Sequence, residues 1–423
     1  MDTDAIVVGG GLAGLVSAAR LAEAGADVTL FERADATGGR VDTRTVDGFT
    51  LDRGFQVLFT SYPAVSRELD VDALDLQAFS PGATICRPGS RAVLSDPLRD
   101  PTAALESALN HEVPFADKLR TLALRYDLSK RDEETFFTGS DASIREYLEE
   151  WGFSRAYIEH FVEPFYGGIT LDRSLSTSKR VFEYTFKSLS EGRIAVPAAG
   201  IQAIPEQLAA RARAEGASIR CGDPVESIAD HGDAVTVEPP SGRVDADAVV
   251  IATDPREAKR LTEVDTIPTD ARGCVTQYYR LPEDVAPKTR RKLLLNARDP
   301  SPNTVVPMSE VAPEYAPDGE ALLNATFLGG NAQERDADAL AEETQLTLSA
   351  WYPEREFSAL ELVDTYRIEF AQFDQPPGVH DDLPSPRAPG GRTYLAGDYT
   401  AWSAIQGAMR SGREAADAVL QDL

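Results

Sequence analysis

Gly9-Gly10-Gly11-Leu12-Ala13-Gly14 satisfies G-x-G-x-x-G through Gly9, Gly11 and Gly14. The flanking residues give the motif its context. Asp4-Ala5-Ile6-Val7-Val8 is a short apolar run, the pattern of a buried parallel strand. Residues 12–24 have a small, apolar face and no proline, the pattern of a helix. Asp27-Val28-Thr29-Leu30-Phe31 reads as a second strand ending at Glu32, 18 residues past Gly14. Strand, tight turn, helix, strand and acid in that order form a dinucleotide-binding arrangement. Gly9 permits the turn, Gly11 lets backbone approach a pyrophosphate, and Gly14 lets helix and strand pack closely. The N–H groups at the helix start, at Leu12 and Ala13, favour phosphate. Glu32, with Arg33 beside it, is placed to accept from ribose hydroxyls.

The next residues narrow the ligand. Thr37-Gly38-Gly39-Arg40-Val41 brings a second glycine pair and an arginine, and Asp52-Arg53-Gly54-Phe55-Gln56-Val57 follows. These stretches resemble the FAD-binding half of the amine oxidase, protoporphyrinogen oxidase and phytoene desaturase superfamily. The resemblance implies that Glu32 binds the adenosine ribose and that Gly39 and Arg40 lie along the pyrophosphate. It also brings Gly54, Phe55 and Gln56 towards the isoalloxazine. Chemistry agrees at Arg40, since a planar guanidinium suits a pair of phosphate oxygens better than an ammonium does.

The far end of the chain carries a matching signal. Thr393-Tyr394-Leu395-Ala396-Gly397-Asp398 reads as a strand ending in Gly-Asp, and a terminal helix is expected over 401–420. This resembles the C-terminal FAD motif of the same superfamily. The resemblance implies that Gly397 and Asp398 meet the ribityl chain. It also implies that the helix start around Gln406, Gly407 and Ala408 points N–H groups at the flavin pyrimidine. A helix N-terminus there favours the negative charge of a reduced flavin. Val225 matches a position whose backbone contacts the adenine. After the strand 247–253, Asp254 stands where the family has glycine, so Thr253 receives no role.

Composition sets limits. The chain has 42 Lys and Arg against 69 Asp and Glu, a net charge of −27. Only seven of the 42 are lysine, and an acidic, lysine-poor surface reads as adaptation to high salt. Nucleic acid is excluded as a partner, because a phosphate backbone needs a basic stripe. Cys86, Cys221 and Cys274 are far apart, and His111, His160, His231 and His380 have no ligand spacing. No metal site or disulfide framework is expected. The first strand begins by residue 4, and no apolar run is long enough for a membrane helix. A cytoplasmic location is expected, with peripheral membrane contact left open.

The expected fold class is α/β: a Rossmann-like FAD-binding domain with an interleaved α+β substrate domain. Residues 1–60, 190–265 and 385–423 would form the first. Residues 61–189 and 266–384 would form the cover. Helices are expected at 101–128 and 143–161, the second capped by Asp141. The aromatic stretch 161–169 is expected to end in a flexible Gly167-Gly168. A helix at 200–215, a meander over 225–238, strands near 273–281, 320–328 and 359–370, and a helix at 337–351 complete the pattern.

The implied activity is removal of hydride or electrons from an apolar organic substrate, as in a phytoene desaturase-like dehydrogenase. The electron acceptor is open among oxygen, a quinone and another carrier. A second G-x-G-x-x-G is absent, which argues against a built-in nicotinamide domain. Flavin amine oxidation is the alternative. Amine oxidases place a tyrosine at the start of the terminal helix, where this chain has Ile405, and Trp402 is the nearest substitute. A flavin-dependent isomerase is also open, as is a non-enzymatic prenyl-binding protein like the Rab GDP-dissociation inhibitors. No residue is singled out as catalytic.

Overall fold

The strand Asp4–Val8 lies in the middle of a five-stranded parallel sheet. Across that sheet the order is Ser218–Cys221, Asp27–Glu32, Asp4–Val8, Ala248–Ile251 and Thr393–Leu395. The fold is that of a computed structural model describing residues 3–95, 99 and 113–423. Ala248–Ile251 is buried throughout, and Ile6, Val7 and Val8 are likewise buried. This is why their sequences read as apolar runs rather than alternations. The helices Leu12–Glu23, Ala203–Ala214 and Ile405–Asp422 share one apolar core with the sheet.

A second sheet of seven strands covers the first. It runs Glu361–Phe373, Ala271–Pro282, Glu320–Leu328, Thr304–Pro307, Leu293–Asn296, Ala83–Arg87 and Ser90–Leu94. All neighbours are antiparallel except Leu293–Asn296 with Ala83–Arg87. Alternation sorts the long strands: Cys274 and Tyr278 face one core, Val275 and Tyr279 another.

Asp52 ties the seven-stranded sheet to the strand Thr43–Val46 and to the turn before the helix Ala203–Ala214. Its carboxylate accepts from Thr43 Oγ1 at 2.6 Å, Ile201 N at 2.9 Å and the Tyr315 hydroxyl at 2.9 Å. Its carbonyl accepts from the Tyr278 hydroxyl at 2.8 Å. Burial pushes the Asp52 carboxyl above the usual carboxylate range, and the hydrogen bonds partly offset this. The loop that follows, through Gln56, is thereby anchored to both halves.

Several expectations are corrected. Residues 143–161 are not one helix. They form Ile144–Glu150, a short turn at Arg155–Tyr157 and a π-helical turn at Ile158–Val162, which runs into Glu163–Thr170. Gly152, at φ +76°, ends the first piece. Ser143, not Asp141, caps it, in a capping box with Glu146. Asp141 instead accepts from Ser178 Oγ and Gly378 N, each at 2.8 Å. Gly167 and Gly168 are helical, and a side chain at Gly167 would press on Arg173 backbone. Residues 61–189 also contribute two strands to the large sheet, beyond the helical block expected there. Of the helix expected at 101–128, Phe115–Ser129 is present, and residues 101–112 lie outside the described residues. The terminal helix begins at Ile405, beside the start expected around Gln406.

Trp402 is 3% exposed and caps an interface. It stacks on Phe137 at 4.5 Å between centroids and meets Tyr184 edge-on at 4.9 Å. His380 packs on the same Phe137 ring at 4.9 Å. Burial pushes the His380 imidazole down to about 4, against the attraction of Asp141 and Asp381 and with the repulsion of Arg180. A depressed histidine makes the unfolded chain bind the extra proton between its ordinary value and about 4. Stability is therefore lost as pH falls through that window. Thermal melts of His380→Gln should lose less Tm than the wild type between about pH 6.5 and pH 4. Identical pH slopes would contradict the buried neutral imidazole.

Candidate functional site

Two helices aim their N-termini into one groove. The helix Leu12–Glu23 follows Gly11, and Ile405–Asp422 follows Ala404, and neither first turn has a side-chain cap. Uncapped first-turn N–H groups need an acceptor, and together with the helix dipole they favour an anion. The helices approach closely because Gly412 has no side chain, and a Cβ there would collide with the Ala13 carbonyl oxygen. Ser17 Oγ donates to Gly412 O at 2.8 Å.

The groove is a cavity of about 740 Å³. Glu32, Arg33 and Val225 line it, as do Gly9, Gly11, Leu12, Ala13, Gly39 and Arg40. Gln56, Gly397, Asp398 and Ala408 complete the expected residues found there. Four others are not in its lining: Gly14, Gly54, Phe55 and Gln406. Gly14 sits behind, where a Cβ would collide with the Gly9 carbonyl. Gly54 has φ +89° and packs on Ile368, and Phe55 meets Phe79 edge-on at 6.0 Å. The Gln406 side chain turns away, accepting from Ala64 N at 2.8 Å and donating to Glu133 at 2.9 Å. Its place at the helix start is as expected; its amide is a structural tie.

A steric test separates the glycines. Gly9 has φ +109°, and a Cβ would lie 2.6 Å from Ala252 O. A Cβ on Gly11 would meet nothing within 4 Å, because it would project into the groove. The first glycine serves the turn, and the second leaves open space at the groove. Glu32 is 7% exposed and accepts from Gly10 N at 2.6 Å and Ala34 N at 2.8 Å. Two carboxylate oxygens provide about four acceptor sites, so capacity remains for hydroxyl donors.

Arg40 and Asp398, 358 residues apart, bond to each other at 2.6 Å. Arg40 also donates to Ala371 O at 3.0 Å, and Ser403 Oγ donates to the other Asp398 oxygen at 2.6 Å. Gln56 Nε2 donates to Arg40 O at 2.8 Å. The guanidinium thus links the loop after the second strand to the Gly-Asp turn of the last one.

Sequence reasoning missed one wall. Ile368 to Gln372, on the strand Glu361–Phe373, line the groove, as does Ile169. No motif marks them; only contact across the two sheets does. Thr253 and Asp254 also line it, and Asp254 caps the helix Pro255–Thr262 by accepting from Glu257 N at 3.2 Å. Among the described residues, no group of three or more His, Cys, Asp or Glu could hold a metal ion. Within the same residues, Cys86, Cys221 and Cys274 are free.

These features define a nucleotide-binding flavoprotein scaffold. A family model described as flavin containing amine oxidoreductase matches residues 12–420, and the chain belongs to that family. Its cofactor class is therefore a flavin. The zeta-carotene-forming phytoene desaturase of Myxococcus xanthus is 28% identical over 280 residues, covering 59% of this chain and 53% of that protein. The match thus spans about half the length of that relative. A putative protoporphyrinogen oxidase from Exiguobacterium sp. 255-15 superposes with a TM-score of 0.72 at 16% identity, covering all of both chains. Cyclohexylamine oxidase from Brevibacterium oxydans IH-35A gives 0.70 at 20%, covering 100% of this chain and 99% of that one. At such identities the structures share the fold.

Replacing Glu32 by Ala removes the acceptor for Gly10 N and Ala34 N and the acid facing the groove. Titration of cofactor into the deflavinated variant, followed by flavin fluorescence, should show affinity lower by roughly tenfold or more. Unchanged affinity would sink the ribose assignment.

Proposed function

We propose that the chain binds FAD along this groove and oxidises an apolar, isoprenoid-like substrate, as a desaturase or a related dehydrogenase does. The observation that carries the reading is the order of the lining along the sheet's carboxyl edge: Glu32 ends the second strand across, Gly9 and Gly11 follow the third, Thr253 and Asp254 the fourth, and Gly397 and Asp398 the fifth. The uncapped helix starts at Leu12 and Ile405 follow the third and fifth strands. An extended dinucleotide fits such a row. Glu32 and the Val225 backbone are assigned to the adenosine. The N–H groups of Leu12 and Ala13 and the Arg40 guanidinium are assigned to the pyrophosphate, and Asp398 to the ribityl hydroxyls.

Bound flavin supplies the hydride- or electron-accepting chemistry. The chain's own residues hold and shield it. First-turn N–H groups of Ile405–Asp422 present positive potential to an anionic neighbour. Ile169, Ile368 and Ile405, which line the groove, keep water from the reacting face and offer an apolar substrate a surface. The similarity to a phytoene desaturase supports a carotenoid-like substrate. Amine oxidation is disfavoured, because no Tyr or Trp lines the cavity among the described residues and Ile405 occupies the helix-start position. A purely binding role is disfavoured by Glu32, Gly39, Arg40, Gly397 and Asp398, which all line the groove.

The test is anaerobic mixing of purified protein with phytoene in detergent, and separately with alkyl amines. Bleaching of the flavin band with phytoene, recovery on admission of air or a quinone, and new polyene absorbance are expected. Bleaching by amines alone would overturn the substrate class.

A further inference from the structure

The carboxylate of Asp398 is held by two donors, one on each oxygen. Arg40 Nη2 donates to Oδ1 and Ser403 Oγ donates to Oδ2, each at 2.6 Å. A carboxylate offers about four acceptor places, so about two remain for hydroxyl groups in the groove. The direction of those places is set by whatever holds Arg40 and Ser403.

One short stretch of the cover holds both. Ala371 O, near the end of the strand Glu361–Phe373, accepts from Arg40 Nη1 at 3.0 Å. Gln375, just past that strand, accepts through Oε1 from Ser403 N at 3.0 Å. A backbone N–H only donates, which fixes the oxygen of the Gln375 amide on that side. Its Nε2 faces Gln372 Oε1 at 3.4 Å, and Gln372 lines the groove and donates to Ile169 O at 3.0 Å. Gln375 itself is buried and stands behind the lining.

The main chain at Gln375 has little freedom. Its carbonyl accepts from Ser178 N at 2.8 Å. Asp374 is fixed from both sides, donating from N to Asp270 O at 2.8 Å and accepting from Arg272 Nε at 2.6 Å. Pro376 follows and restricts Gln375 to extended backbone. A side chain can orient a ligand-facing group only when packing and hydrogen bonds lock it in turn, and here they do.

We propose that Gln375 is a positioning residue for the ribityl end of the cofactor. It holds Ser403 so that the Ser403 hydroxyl keeps the Asp398 carboxylate turned to the groove. The inference rests on the FAD reading, and within it on the assignment of Asp398 to the ribityl hydroxyls. Ser403 also stands just before the helix Ile405–Asp422, so the same bond fixes where the uncapped first turn begins. Glu32 and Val225 make none of these bonds, so changes at Gln375 leave the adenosine end alone.

The experiment titrates the deflavinated full chain with FAD, followed by flavin fluorescence, and separately with ADP, followed by calorimetry. Gln375→Met keeps the length of the side chain and removes both hydrogen bonds of the amide. It should bind FAD about tenfold more weakly than the wild type, and ADP within about twofold of it. Added to Ser403→Ala, it should cost little beyond Ser403→Ala alone, because both changes act on one carboxylate through one link. Wild-type FAD affinity in Gln375→Met overturns the proposal and leaves the FAD reading standing. An equal loss for FAD and ADP overturns it too, by making Gln375 a support of the whole fold. So does a fully additive loss in the double variant. A wild type that binds ADP and takes up no FAD overturns the FAD reading and the proposal together.

Discussion

The contact between Gly412 and the backbone at Ala13 is the constraint on which the site depends. Two helices separated by nearly the whole chain must converge so that both first turns open into one groove. Any side chain at Gly412 would strike the Ala13 carbonyl and push the helix starts apart. Ser17 donating to Gly412 O fixes the approach. The first helix can begin where it does because Gly9 takes a backbone conformation that other residues resist, and because Gly14 leaves room for the Gly9 carbonyl. Close packing of backbone on backbone thus sets the position of the free N–H groups.

A second layer of constraint holds the cover sheet over this platform. Asp52 is 1% exposed and its acceptors are filled by donors from three separate stretches. Removing any one donor would leave a buried carboxylate under-satisfied, which costs about 1–3 kcal/mol or more. The Arg40–Asp398 pair performs a similar join beside the groove. The Arg40–Asp398 pair joins two residues assigned to the cofactor, and the Asp52 tie anchors the loop that leads to Gln56. Stability and site geometry therefore share the same atoms.

Much of the platform was legible in the sequence, because its signals are local. A buried strand, a glycine turn and a strand-end acid each lie within a few residues. In the cover, the strand Glu320–Leu328 and helix Ala337–Trp351 follow their periodicity to the residue, but other parts were harder. Residues 143–161 have helical spacing throughout, yet Gly152 ends the first segment and a π-helical turn rephases the rest. Asp141 has the chemistry of a cap, but a serine two residues later takes that place and frees the aspartate for Ser178. The wall formed by Ile368 to Gln372 could not be read from its own sequence, because its role comes from the sheet it faces. The side-chain ties of Gln406 could not be read for the same reason: its partners, Ala64 and Glu133, lie far away in the chain.

The most direct test of the account is titration of deflavinated protein with FAD and, separately, with FMN, followed by flavin fluorescence and the visible spectrum. The account predicts that FAD binds and restores a flavin spectrum, and that FMN binds far more weakly because it lacks the adenosine assigned to Glu32 and Val225. Failure to take up FAD, or equal affinity for FMN, would contradict it.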